Sequence, residues 1–157
     1  MVEWIADNLA PSVSIVDGAK LHRFPGSSFR SLTHSTVGCG NGDLVFRLFD
    51  AGYTVTTGID YSEASIELAR AISSRRAVPL DDATFLIRDV LSREPHPLSP
   101  QYELVCDKGT YDGICLSDEV VAGKVLSALY PERVAAMVQP GGIFFITSCA
   151  RLPLYCV

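Results

Sequence analysis

The chain has 157 residues, room for one domain and not for two. Hydrophobic residues make up 48% and charged residues 20%, so there is apolar surface that needs a core, which excludes a disordered chain. The 13 basic residues against 18 acidic leave a net charge of −5, which argues against a protein that lives on phosphate backbones or anionic lipid.

No apolar run approaches a membrane span, and Met1-Val2-Glu3-Trp4 lacks the basic start and apolar middle of a signal peptide, so a soluble cytoplasmic protein is expected. The 5 cysteines form no CxxC pair and are odd in number, which points to reduced thiols rather than a zinc site or a disulfide framework.

Along the chain, Val2, Ile5 and Leu9 share a helical face that Pro11 ends, and Ser12 to Val16 read as a strand closing on Asp17. From Gly18 to Thr36 basic residues, two histidines and scattered Gly, Pro, Ser and Thr show no apolar period. A regular pattern then begins: a helix over Asp43 to Asp50, a strand over Thr54 to Ile59, a helix over Ser62 to Ala77 and a strand over Thr84 to Arg88. Prolines between Leu91 and Gln101 predict a loop, and Tyr102 to Cys106 a strand. Asp118 is the expected N-cap of a helix through Leu129, and Pro131 the start of a second helical piece. Pro140-Gly141-Gly142 turns the chain into the apolar strand Ile143 to Ser148. Strands alternating with helices predict a parallel α/β sheet covered on both faces, with ligands at the strands' C-terminal ends.

Two features point at such a ligand. Gly38-Cys39-Gly40-Asn41-Gly42 precedes a helix, where backbone N–H groups and the helix dipole favour an anionic or polar group. Its G-x-G-x-G spacing misses the dinucleotide pattern G-x-G-x-x-G. Gly58-Ile59-Asp60-Tyr61-Ser62 then ends a strand in a carboxylate suited to both ribose hydroxyls of a nucleoside. Asp89 is placed to take an adenine amino group and Val90 to add a backbone N–H.

Through GCGNG, GIDYS, RDV and PGGIFFITS, the stretch from Val37 to Cys149 resembles the class I S-adenosylmethionine-dependent methyltransferases. Cys106-Asp107-Lys108-Gly109-Thr110-Tyr111-Asp112 is similar to the DKGTxD motif of the methyltransferase-like lysine methyltransferases, in particular the branch that acts on translation elongation factor 1-alpha. The resemblance implies a Rossmann-like sheet of strand order 3-2-1-4-5, S-adenosylmethionine as cofactor and a protein lysine as acceptor. It implies cofactor contacts from Asp17, Gly38, Cys39, Gly40, Asn41, Gly42, Asp60, Tyr61, Asp89, Val90 and Asp107. Asp107 is expected to orient the acceptor amine, with Thr110 and Tyr111 lining a narrow channel, because methyl transfer by direct displacement needs positioning and desolvation rather than a nucleophilic side chain. Lys108 is read as solvated, Cys39 and Cys106 as packing residues, and no metal or nucleic acid is expected.

The resemblance also implies an acid two residues before the first glycine, where Thr36 stands. Joining Ser14-Ile15-Val16-Asp17 to Val37 on paper restores that pattern, so residues 18–36 are expected to be an insertion and residues 12–16 the central strand. Polar Ser31 to Thr36 would otherwise bury hydroxyls and an imidazole there. After Ser148 only Ala150 to Val157 remain for the strands that normally close the sheet, which predicts a single incomplete domain with an open edge. An inactive fragment with at most weak cofactor binding is the alternative.

Overall fold

The computed structural model describes residues 33–50, 53, 55–78, 83–92 and 102–149, together with the backbone of two short strands, Val16–Asp17 (β1) and Lys20–Leu21 (β2). The helix expected over Met1 to Ala10, residues 12–15, and the chain beyond Cys149 lie outside the described residues.

The elements that follow are β3 (His34–Val37), α1 (Asp43–Asp50), β4 (Thr56–Asp60), α2 (Glu63–Arg75), β5 (Ala83–Ile87) and β6 (Tyr102–Lys108). Then come α3 (Thr110–Cys115), β7 (Val120–Val121), β8 (Lys124–Val125), α4 (Leu126–Ala135) and β9 (Val138–Thr147). Five strands form a parallel sheet in the order β5-β4-β3-β6-β9. Counted within that sheet, this is the expected 3-2-1-4-5.

Local chemistry explains the helices. In α1 the apolar positions Val45, Phe46 and Leu48 are buried, and the Asn41 side chain accepts the Asp43 N–H at its start. Ser62 caps α2, its hydroxyl accepting the Ser65 N–H at 3.3 Å, while Ile66, Ala69 and Ser73 face inward. One core cluster gathers α1 and α2 with Cys39, Val78 and Phe85; the other joins Val37, Ile59, Tyr102 and Val105 to Tyr111, Tyr130, Val134 and Met137. Both faces of the sheet are thus covered, as parallel strands require.

Two expectations fail. Asp118 does not cap a helix. Ala122 (φ 52°) and Gly123 (φ 77°) form a two-residue turn between β7 and β8, whose antiparallel pairing needs positive φ at both central positions. The helix starts only at Leu126, with Pro131 inside it rather than at a new start.

The second correction concerns the centre of the sheet. β3, made of residues assigned to an insertion, pairs with β4 on one side and β6 on the other, so the central strand is His34–Val37 and not residues 12–16. Val16–Asp17 instead pairs with Lys20–Leu21 in an antiparallel ladder separate from the main sheet, and Asp17 is not at the end of the central strand. The reason is connectivity. Val37 runs directly into Gly38, so these residues reach the centre without a long loop to close, and ladder hydrogen bonds form whatever the side chains are. The burial cost is only partly offset. His34 packs its ring edge-on against Tyr53 at 4.9 Å, and Ser35 Oγ is left without a hydrogen-bond partner among the described residues. Upstream, Thr33 locks the register: its N–H donates to Glu103 Oε2 at 2.8 Å, and the Glu103 N–H returns to the Thr33 carbonyl at 3.1 Å.

Candidate functional site

The C-terminal ends of β3, β4 and β6 bring the expected motifs together. The glycine loop follows β3, Asp60 ends β4, and Asp107 lies one residue before the end of β6. Register places Val37 beside Ile59 on one side and beside Asp107 on the other.

The loop is already closed on itself. The Cys39 N–H donates to the Ile59 carbonyl, the Gly40 N–H to Asp60 Oδ2 at 2.8 Å, the Gly42 N–H to the Cys39 carbonyl, and the Asp43 N–H to Asn41 Oδ1. The free N–H cradle expected from the sequence is therefore largely used inside the protein, because a tight turn satisfies its own donors. The glycines also divide by role. A Cβ at Gly42 would meet Phe46 and Phe85, and one at Gly58 would meet Phe85 and Cys39 Sγ, so these two are glycine for packing. Gly40, at φ 54°, faces open space.

Asp60 is buried, and each of its oxygens takes one backbone N–H, Gly40 on Oδ2 and Ser62 on Oδ1 at 2.9 Å. A carboxylate offers about four lone-pair sites, so acceptor capacity remains. Tyr61 beside it is 78% exposed. The Arg88 N–H donates to the Asp60 carbonyl, joining the ends of β4 and β5. Asp89 is exposed and folds back on the Leu91 N–H at 2.8 Å, while Val90 packs against the core.

Asp107 is 1% exposed, and both of its oxygens are hydrogen-bonded. Oδ1 accepts the Thr110 N–H at 2.8 Å; Oδ2 accepts the Tyr111 N–H at 3.0 Å and the Tyr130 O–H at 2.5 Å. It thus holds the first turn of α3, whose N–H groups have no partner within the helix. Tyr130, from α4, was not foreseen: it is separated from Asp107 by 23 residues, and the only signal in the sequence was that a buried carboxylate needs donors. Burial and the Asp107 charge push its phenol pKa well up, so it stays a donor.

Thr110 and Tyr111, expected to line a channel, make contacts inside the fold. The Thr110 hydroxyl donates to the Val37 carbonyl at 2.9 Å, and the Tyr111 ring is buried 5.4 Å from that of Tyr130. Asp112 fastens the far side of α3, accepting the Ser148 O–H at 2.5 Å and the Cys149 N–H at 3.0 Å. Lys108 is exposed. Burial, with Asp60 beside Cys39 and Asp107 beside Cys106, pushes both thiols up to about 12, so at neutral pH they pack rather than attack. Among the described residues no cluster of metal-ligating side chains occurs, and no helix is long and apolar enough to cross a membrane.

Three comparisons bear on this arrangement. Over 155 residues the chain is 37% identical to "Protein-lysine N-methyltransferase efm4" of Schizosaccharomyces pombe, covering 95% of this chain and 60% of that protein. It is 33% identical over 113 residues to "EEF1A lysine methyltransferase 2" of Danio rerio, covering 72% of this chain and 46% of that one. The chain thus spans roughly half to three-fifths of the curated relatives it matches. Its fold is similar to that of PKMT2 from Rickettsia typhi, solved in complex with AdoHcy, with a TM-score of 0.57 at 19% identity over 75% of this chain and 21% of that one. The family model described as "Methyltransferase domain" matches residues 36–154, most of the chain, and with it this protein belongs to the methyltransferase-domain family.

Proposed function

We propose that this chain is the S-adenosylmethionine-binding part of a cytoplasmic protein-lysine N-methyltransferase that acts on translation elongation factor 1-alpha. The observation that carries the reading is the junction of the glycine loop, Asp60 and the Asp107 motif at adjacent strand ends, in a chain whose relatives are named for that activity. The residues suit the cofactor. Gly40 leaves open space on the loop, and Asp60 keeps acceptor capacity for ribose hydroxyls. Tyr61 is exposed for contact with the base, and Asp89 and Val90 stand at the end of the neighbouring strand. Bound there, S-adenosylmethionine would supply an activated methyl group for transfer to an amine.

The protein's own part is positioning. Asp60 holds Gly40 in its left-handed conformation, and Asp107 fixes the loop that faces the acceptor. Asp107 Oδ1 accepts one hydrogen bond against two on Oδ2, so Oδ1 is the atom with capacity to hold an acceptor ammonium. Orientation of this kind is what a displacement at carbon requires from an enzyme.

Titration calorimetry with S-adenosylmethionine, followed by mass spectrometry of elongation factor 1-alpha incubated with both, tests the reading. Binding and a methylated lysine support it. A folded chain that binds no cofactor overturns it in favour of an inactive fragment. One observation favours that second reading: Thr36 holds the position of the expected acid, and Asp17 is in a different ladder.

A further inference from the structure

The first turn of α3 faces two ways. Its backbone N–H groups are held by Asp107, on the strand it follows, while the Thr110 side chain reaches across to β3. The Thr110 hydroxyl donates to the carbonyl of Val37, the last residue before the glycine loop, 73 residues away in sequence. Gly38 comes next, at φ 62°, and a Cβ there would lie 2.0 Å from Thr110 Oγ1 and 2.9 Å from Thr110 Cγ2. Hydroxyl and methyl thus rest together on the peptide where β3 becomes the loop. Valine in place of Thr110 would keep the shape and lose the bond; serine would keep the bond and lose the methyl.

Other strand-end carbonyls of this sheet are met by backbone N–H groups: Ile59 by Cys39, Asp60 by Arg88 and Thr147 by Gly109. Val37 is met by a side chain, and that side chain belongs to the motif on which the acceptor reading rests.

We propose that Thr110 is a positioning residue for the glycine loop, setting the spacing between the cofactor side and the acceptor side of the site. This rests on the functional reading above, and it moves Thr110 from the wall of an acceptor channel to a tether between two loops. A loop tied at both ends, by Thr110 at Val37 and by Asp60 at Gly40, binds its ligand without first having to be ordered. Releasing one tie lets the loop sample other conformations and lowers affinity by the fraction that remains competent.

The test compares Thr110→Val and Thr110→Ser with the parent chain. Amide hydrogen exchange is followed at Cys39 and Gly40, whose N–H bonds hold the loop, and at Ala69 inside α2 as a reporter of global opening. S-adenosylmethionine affinity is measured in parallel by titration calorimetry. In Thr110→Val, exchange at Cys39 and Gly40 should quicken by about tenfold beyond any change at Ala69, the scale of one lost hydrogen bond. Affinity should fall by a similar factor, and Thr110→Ser should restore both. Equal acceleration at all three amides, or none, overturns the proposal, as does loss of binding in Thr110→Ser equal to that in Thr110→Val. A Thr110→Val chain that fails to fold beside a normal Thr110→Ser chain also overturns it, by assigning the hydroxyl to global stability. If the parent chain binds no S-adenosylmethionine, the functional reading falls while the exchange rates still decide whether Thr110 holds the loop.

Discussion

β3 and β9 invert the usual relation between hydropathy and burial. β3 carries His34, Ser35 and Thr36, and all four of its residues are buried. β9 carries Ile143, Phe144, Phe145 and Ile146, and none of its ten residues is fully buried; Phe144 is 37% exposed. Among the described residues β9 pairs on one side only, with β6, whereas β3 is flanked on both sides. Place in the strand order, fixed by where the chain must go next, sets burial here more strongly than side-chain polarity does. Among the described residues apolar side chains thus stand at the border of the sheet, and the polar residues of β3 weaken its middle.

The comparison breaks most sharply at the glycines of the two strands. Gly38 at the end of β3 and Gly141 within β9 both have positive φ, but a Cβ at Gly38 would strike Thr110, while one at Gly141 would meet nothing. Gly38→Ala should cost about 2–5 kcal/mol, from left-handed strain plus overpacking, and Gly141→Ala only about 1–2 kcal/mol. Urea melts of the two variants read the difference; equal losses would mean that the centre is no tighter than the border. Tyr130→Phe comes next. Removing the O–H that Asp107 accepts should cost about 1.5–3 kcal/mol of stability, the value of a hydrogen bond to a charged group, and a loss under 0.5 would show that the bond is replaced.

Ser35→Ala should run the other way. It removes an unpartnered buried hydroxyl from β3 and should raise stability by about 1 kcal/mol, visible as a higher melting temperature; a clear loss would reveal a partner for that hydroxyl. The last expectation concerns the thiols. In the fold Cys39 and Cys106 keep their protons to about pH 12, against an ordinary value of 9.0, so above pH 9 the unfolded chain binds fewer protons and stability falls as pH rises. Below pH 9 the two contribute no pH dependence. At pH 8 an alkylating reagent should therefore label exposed Cys115 and Cys149 and spare Cys39 and Cys106, and rapid labelling of Cys106 would mean that the centre opens.

What the sequence made legible was local. The expected helix over Asp43 to Asp50 matches α1, and the one expected over Ser62 to Ala77 is found as Glu63–Arg75 with Ser62 as its cap. The strand order and the gathering of Gly38–Gly42, Asp60 and Asp107 followed from alternating strands and helices and from the motif likeness. The misreadings were of two kinds. Ala122-Gly123 is a hairpin signal weakened by alanine in a position that suits glycine or asparagine, so Asp118 reads as a cap instead. Hydropathy alone argues against the polar residues of β3 as a central strand, although Val37 leads straight into the glycine loop. The bonds from Tyr130 to Asp107 and from Thr110 to Val37 join residues far apart in sequence, and no local pattern announces them.

The reciprocal bonds between Thr33 and Glu103 also fix where the main sheet begins. They fasten the first turn of backbone before β3 to β6, so the main sheet is pinned at residue 33 whatever length or composition of chain leads up to it. An insertion upstream of residue 33 should therefore leave the register of β3 unchanged, because loop closure grows costlier only with the logarithm of length.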